Sequence, residues 1–163
     1  MRVLRQIAAV LLLPGVVAAA VPALIVARSG GAGARWGAPA VAGIALMAVG
    51  LVLLVQTIAL LATVGRGTLA PWDPTRRLVV RGPYRRVRNP MISGVLFVLL
   101  GEAALLRSLS LLAWFAVVLA VNAVYFPFVE EPGLRRRFGA DYDVYRAAVP
   151  RWLPRLRPWR PGP

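Results

Sequence analysis

The sequence predicts an all-α integral membrane protein of about four transmembrane helices, the last two a hairpin, followed by an amphipathic helix on the cytoplasmic side. Three observations predict it. Of the 163 residues, 59% are apolar, against about 45–50% in soluble chains even with Gly counted. The apolar residues gather in four runs of roughly membrane-crossing length. The 20 basic residues, all Arg, cluster mainly outside those runs and leave a formal net charge of +14.

The first run, 7–27, would span about 31 Å as a helix at ~1.5 Å per residue, enough for the hydrocarbon core. Pro14 and Pro22 interrupt it, which membrane helices tolerate. Arg2 and Arg5 ahead of it and Ala18-Ala19-Ala20 within it also suit a secretory signal, but the run is long for the apolar core of one. A Gly-rich connection from Arg28 to Gly37 leads into the second run, 39–64. The third and fourth, 91–106 and 109–129, are parted only by Arg107-Ser108, so they read as a helical hairpin whose tip reaches the far side. Glu102 lies inside the third run and is expected near that far interface, as a snorkelling or helix-contacting carboxylate.

Four spans put both termini on one side. The central segment, 65–90, carries seven arginines and the tail carries eight, whereas the Arg28/Arg35 connection and the Arg107 tip carry few. The positive-inside rule then places both termini, the central segment and the tail in the cytoplasm of an inner membrane, against anionic headgroups. Arginines arranged in this way mark a lipid surface as the partner and argue against nucleic acid. In the tail, Leu134, Phe138, Tyr142, Tyr145 and Val149 recur at spacings of 4, 4, 3 and 4, one stripe of a helix, with Arg135, Arg136 and Arg137 largely off it. Pro150 ends that helix. The whole chain, 1–163, reads as one domain.

Cysteine and histidine are both absent. Disulfides, thiolate metal sites and the commonest general base and metal ligand are therefore excluded, and no metal is expected. The polar residues able to carry chemistry fall on the cytoplasmic face, in segments 65–90 and 130–154. Gly65 and Gly67 at a helix end would let a ligand approach the backbone, although many such pairs only cap helices. Gly82-Pro83 is a turn signal, and Pro90 suits the first turn of a helix. Glu130-Glu131 stands where the fourth run meets the cytoplasm, just before three arginines. Neighbours on a helix are about 100° apart, so one can face inward while the other faces the interface. Paired acids on the basic side suit either salt bridges to Arg135 or the central segment, or a pocket for a cationic or amine-bearing ligand.

Taken together, Gly65-x-Gly67, Gly82-Pro83-Tyr84, Arg88-Asn89-Pro90, Glu130-Glu131, Phe138-Gly139-Ala140-Asp141-Tyr142 with Tyr145, and Val149-Pro150-Arg151-Trp152-Leu153-Pro154 resemble the membrane methyltransferases of the isoprenylcysteine carboxyl methyltransferase and phospholipid methyltransferase family. The resemblance covers roughly Gly65 to Pro154 and rests on the order and spacing of these motifs. It implies S-adenosylmethionine as cofactor and a lipophilic substrate reached from the bilayer. It also implies a cofactor pocket built from Arg88, Asn89, Pro90, Glu130 and Glu131, with Gly65, Gly67 and Tyr84 at its edge. Glu130, Glu131 and Arg88 become the candidate catalytic residues. Asn89 stands where the family often has His, and Ile92 where it often has Tyr. Ala148 stands where carboxyl methyltransferases often carry Arg, leaving Arg146 or Arg151 as substitutes in substrate binding.

Methyl transfer asks mainly for alignment of donor and acceptor. A carboxylate acceptor needs no base. An amine must lose a proton, for which Glu130, Glu131, Asp141, Asp143, a Tyr or water is available. The acceptor stays open between an isoprenylcysteine carboxylate and a lipid amine. The alternative from another class is a small four-helix transporter or structural membrane subunit, for which Glu102 is the one carboxylate well inside a run; a related nicotinamide-dependent membrane reductase is a third reading.

Overall fold

The computed structural model describes residues 11–29, 36–66 and 75–160. Gly67, residues 68–74 of the central segment, 30–35 of the first connection and 7–10 of the first apolar run lie outside the described residues. The chain is helical, with no strand among the described residues. In order come α1 (Leu11–Ala20), α2 (Val21–Arg28), α3 (Ala38–Thr63), α4 (Pro90–Leu106), α5 (Leu109–Tyr125) and α6 (Glu131–Ala148). A 3-10 turn, Gly82–Arg85, interrupts the central segment, and a π-type turn, Phe126–Glu130, links α5 to α6.

Two helices are long and apolar enough to cross a membrane: α3, and the helical stretch from Leu109 to Ala148. In the most apolar stretch of each, 17% of the residues are buried, so these are not the core helices of a soluble fold. On α3, Val41, Val52 and Val55 are exposed, as lipid-facing side chains would be. Pro14–Arg28 and α4 are shorter apolar helices.

Helix boundaries follow local chemistry. Pro90 opens α4, where its missing N–H costs nothing. Arg107 ends α4 in the left-handed region with φ 47°, and Ser108 then caps α5 by accepting a hydrogen bond from the Leu111 N–H at 3.3 Å. Pro127 cannot donate to the carbonyl four residues earlier, and its ring crowds that carbonyl. The helix widens there, and the Glu131 N–H reaches back five residues to the Phe126 oxygen.

Glycines decide how closely α3 and α4 pack. The two helices run antiparallel, with Gly43 opposite Gly101 and Gly50 opposite Gly94. A Cβ on Gly101 would stand 2.5 Å from the Gly43 carbonyl oxygen, and one on Gly50 would stand 2.6 Å from that of Gly94. Small residues permit backbone contact of this kind between membrane helices, where burial from water supplies no driving force. Beside the seam, Leu54, Val95, Leu96, Val98, Leu99 and Val118 form the main core.

A second cluster gathers between the C-terminal part of α6, the central segment and the tail. Tyr142, Tyr145 and Val149 are buried against Leu78, Val80 and Trp159, with Leu134 and Phe138 half-buried beside them. The stripe expected on this helix is therefore its packed face, although the helix breaks at Gly139 (φ 56°, ψ −132°). The tail after α6 is laced to the central segment by backbone hydrogen bonds. The N–H groups of Arg88, Arg155 and Trp159 donate to the carbonyls of Pro150, Arg86 and Arg85 at 2.8–2.9 Å.

Candidate functional site

That lacing fixes Arg88 at the mouth of a cavity of about 590 Å³. The cavity runs from the central segment and α6 down between α1, α4 and α5. Its deep walls are apolar: Val17 of α1, Ile92 and Val95 of α4, Val117, Val118 and Val121 of α5. Its other end is polar, with Tyr84, Arg88, Asn89, Glu130 and Arg137.

Arg88 and Asn89 hold the most telling atoms. The Arg88 side chain is 10% exposed. Its Nε, and Nδ2 of Asn89, are buried with no hydrogen-bond partner among the described residues. Buried donors are ordinarily satisfied, and leaving one unpaired costs about 1–3 kcal/mol. Two such donors on adjacent cavity-lining residues form a recess for an acceptor group.

The adjacent acids separate. Glu130 lines the cavity. Burial pushes its carboxyl above the ordinary range, and the Arg137 charge partly offsets that. Glu131 is 4% exposed and lies among three guanidinium groups. Arg151 Nε donates to Oε1 at 2.6 Å, Arg88 Nη1 stands 3.0 Å from the same oxygen, and Arg146 Nε stands 3.4 Å from Oε2. Glu131 thus ties the start of α6 to its end, to the tail and to the residue before Asn89. One carboxylate among three guanidinium groups leaves an excess of positive charge beside the cavity.

Three tyrosines complete the polar end. Burial raises the hydroxyls of Tyr84, Tyr142 and Tyr145 above the usual phenol range, so all three are protonated donors at neutral pH. The Tyr145 hydroxyl donates to the Tyr84 carbonyl at 2.8 Å, setting the height of the central segment over α6.

Of the residues singled out in the sequence, Tyr84, Arg88, Asn89 and Glu130 come together on the cavity wall. Pro90 is buried behind them as the first residue of α4. Arg146 and Arg151 turn to Glu131 rather than to the cavity, and Arg135 pairs with Asp143 at 3.1 Å instead of with the acidic pair. Gly65 does not line the cavity. A Cβ there would meet Leu61 O and Thr75 Cγ2 at 2.8 Å, and its carbonyl accepts from the Arg76 N–H at 2.8 Å, so it makes room for the returning chain. Gly67 lies outside the described residues. Trp114, Asn122 and Arg137 also line the cavity, and none of them belongs to the sequence motifs. Asn122, a polar residue deep in an apolar run, carries a signal of its own; Arg137 is hidden among three consecutive arginines.

Comparison with curated proteins gives no match, and comparison with solved structures gives none. A family model described as phospholipid methyltransferase matches residues 39–141, more than half of the chain, from the start of α3 through both acids into α6. With an apolar cavity, a polar mouth and that match over the helices that build both, the chain belongs to the phospholipid methyltransferase family, a family of membrane methyltransferases.

Proposed function

We propose that the protein is an S-adenosylmethionine-dependent methyltransferase. It acts on a lipophilic acceptor at the cytoplasmic face of an inner membrane crossed by four spans, with both termini inside. The observation that carries this reading is the pair of buried donors without a partner among the described residues, Arg88 Nε and Asn89 Nδ2, at the polar end of a largely apolar cavity. They suit the cofactor's carboxylate, and the Glu130 carboxylate beside them suits its cationic amine. When bound, S-adenosylmethionine supplies a methyl group on a sulfonium, already activated for in-line displacement.

The residues then have three tasks. Arg88 and Asn89 anchor the anionic end of the cofactor, with Arg88 held in place by Glu131 and by its own N–H on the Pro150 carbonyl. Arg146 and Arg151, paired with Glu131, act as positioning residues. The apolar walls admit the acceptor's hydrocarbon part and exclude water, which strengthens every charge interaction at the mouth. The arginine excess favours an acceptor headgroup that carries negative charge, a prenylated carboxylate or a phosphate-bearing lipid amine. For an amine, Glu130 is the carboxylate on the cavity wall able to accept its proton.

The test is twofold. Calorimetric titration with S-adenosylmethionine gives binding to the wild type and none to Arg88→Ala, and a radiolabelled methyl group transfers into a total lipid extract. Equal binding by both proteins would remove the site assignment. Absence of both binding and transfer in the wild type would remove the proposed function.

A further inference from the structure

The cavity has a floor, and one hydrogen bond crosses it from helix to helix. The Trp114 indole Nε1–H on α5 donates to the Val17 carbonyl on α1 at 3.0 Å, between residues 97 apart in sequence. Both residues line the cavity.

The reason this carbonyl is available lies in the sequence. α1 is wound as a π-helix, in which a carbonyl is answered by the N–H five residues on. For Val17 that residue is Pro22, which has no N–H. An orphaned carbonyl within a membrane helix is costly, and the Trp114 indole relieves it.

The position of the bond makes it more than a fastening. Trp114 stands 16 residues before Glu130 on one continuous helix, about 24 Å at ~1.5 Å per residue. It is the lining residue of α5 farthest along the helix from the polar mouth, as Val95 is on α4. Trp114 and Val17, packed against Val95 and Val118 of the core, therefore close the apolar arm at its far end.

The geometry points to Trp114 as the specificity-determining residue for the acceptor's hydrocarbon chain. Its indole, bonded to Val17, is the stop that fixes how long a chain the cavity takes while the headgroup stays at Arg88 and Glu130. This rests on the lipophilic-acceptor reading above and adds the residue that sets chain length.

The experiment uses full-length protein in detergent with S-adenosylmethionine and two acceptor series. One is lysophosphatidylethanolamines of increasing acyl length, the other N-acetyl-S-prenylcysteines of increasing prenyl length. kcat/KM is measured against chain length for the wild type, Trp114→Ala and Val17→Phe. The wild type shows a length beyond which kcat/KM falls. Trp114→Ala moves that limit to longer chains, with about a fourfold gain in kcat/KM for each methylene newly buried. Val17→Phe, which adds bulk to the opposite side of the floor, moves it to shorter chains. A destabilised helix would lower every rate together and leave the limit in place, so the shift separates a stop from a structural role. Coincident length profiles for all three proteins overturn the inference while leaving the proposed function standing. If Trp114→Ala does not fold, Val17→Phe decides alone, and an unchanged limit overturns the inference. A wild type that methylates no member of either series overturns the reading beneath it and this inference together.

Discussion

The two sides of α4 are built to opposite specifications. Toward α3, Gly94 and Gly101 bring backbone against backbone, leaving no room even for a methyl group. Toward α1 and α5, the same helix presents Ile92 and Val95 to an open cavity. The two acids repeat the contrast on a smaller scale. Glu131 is enclosed by arginines, while its neighbour Glu130 faces the cavity. The close-packed side and the open side of one helix divide the work: α3 holds α4 in place, and the Glu131 cluster holds Arg88 at the mouth.

The largest effect is expected where the closed side carries charge. Glu131→Ala leaves Arg88 and Arg151 without their counter-charge in a mostly buried place. It should lower unfolding stability by about 3–5 kcal/mol, read by thermal or denaturant unfolding in detergent, and weaken cofactor binding in parallel. If stability stays within about 1 kcal/mol of the wild type, Glu131 is not the tie described. Gly101→Ala comes next. Its Cβ would meet the Gly43 carbonyl oxygen and Met47 Cγ at 2.5 Å, so forced separation of the helices should cost about 1–3 kcal/mol.

Gly133 is the control on the open side. A Cβ there meets nothing within 4 Å among the described residues, and Gly133→Ala in α6 should raise stability by about 0.5–1 kcal/mol through helix propensity alone. Similar losses in both glycine variants would erase the contrast between seam and cavity wall.

The smallest effect on folding, and the most informative for function, is expected from Glu130→Gln. Because the folded-state carboxyl is raised by burial, its contribution to stability is fully present below its unfolded value and is lost as pH rises through the folded one. The variant should therefore match the wild type at low pH and be slightly more stable at neutral pH. Methyl transfer by the wild type should fall as acid protonates Glu130, beginning above the ordinary carboxylate range, and Glu130→Gln should lose that acid limb along with most of its rate. An unchanged pH–rate profile in the variant would take Glu130 out of the chemistry.

Much of this is legible in the order of the residues. The apolar runs and the arginine blocks announce membrane helices and a basic face, because a bilayer sorts residues by hydropathy and charge along the chain and needs no tertiary information. The helix bounds at Pro90, at Arg107-Ser108 and before Pro150 follow from local backbone chemistry in the same way. The motif order points to the family that the match over 39–141 shows. The glycine seam is written as two seven-residue spacings, Gly43 to Gly50 and Gly94 to Gly101, but nothing in one run says which face of another will meet it.

Tertiary structure alone decided how the polar residues divide. Adjacent glutamates look equivalent in a sequence, and only the turn widened after Pro127 settles which one faces the cavity. Arg146 and Arg151 read as substrate ligands until the fold returns them to Glu131, 15 and 20 residues earlier in the chain. Gly65 reads as a ligand-approach residue until Thr75 and Val79 are found occupying the space its side chain would need. Hydropathy and local propensity belong to single residues and short windows. The direction in which a side chain points, and which charge reaches it first, belongs to the packed whole.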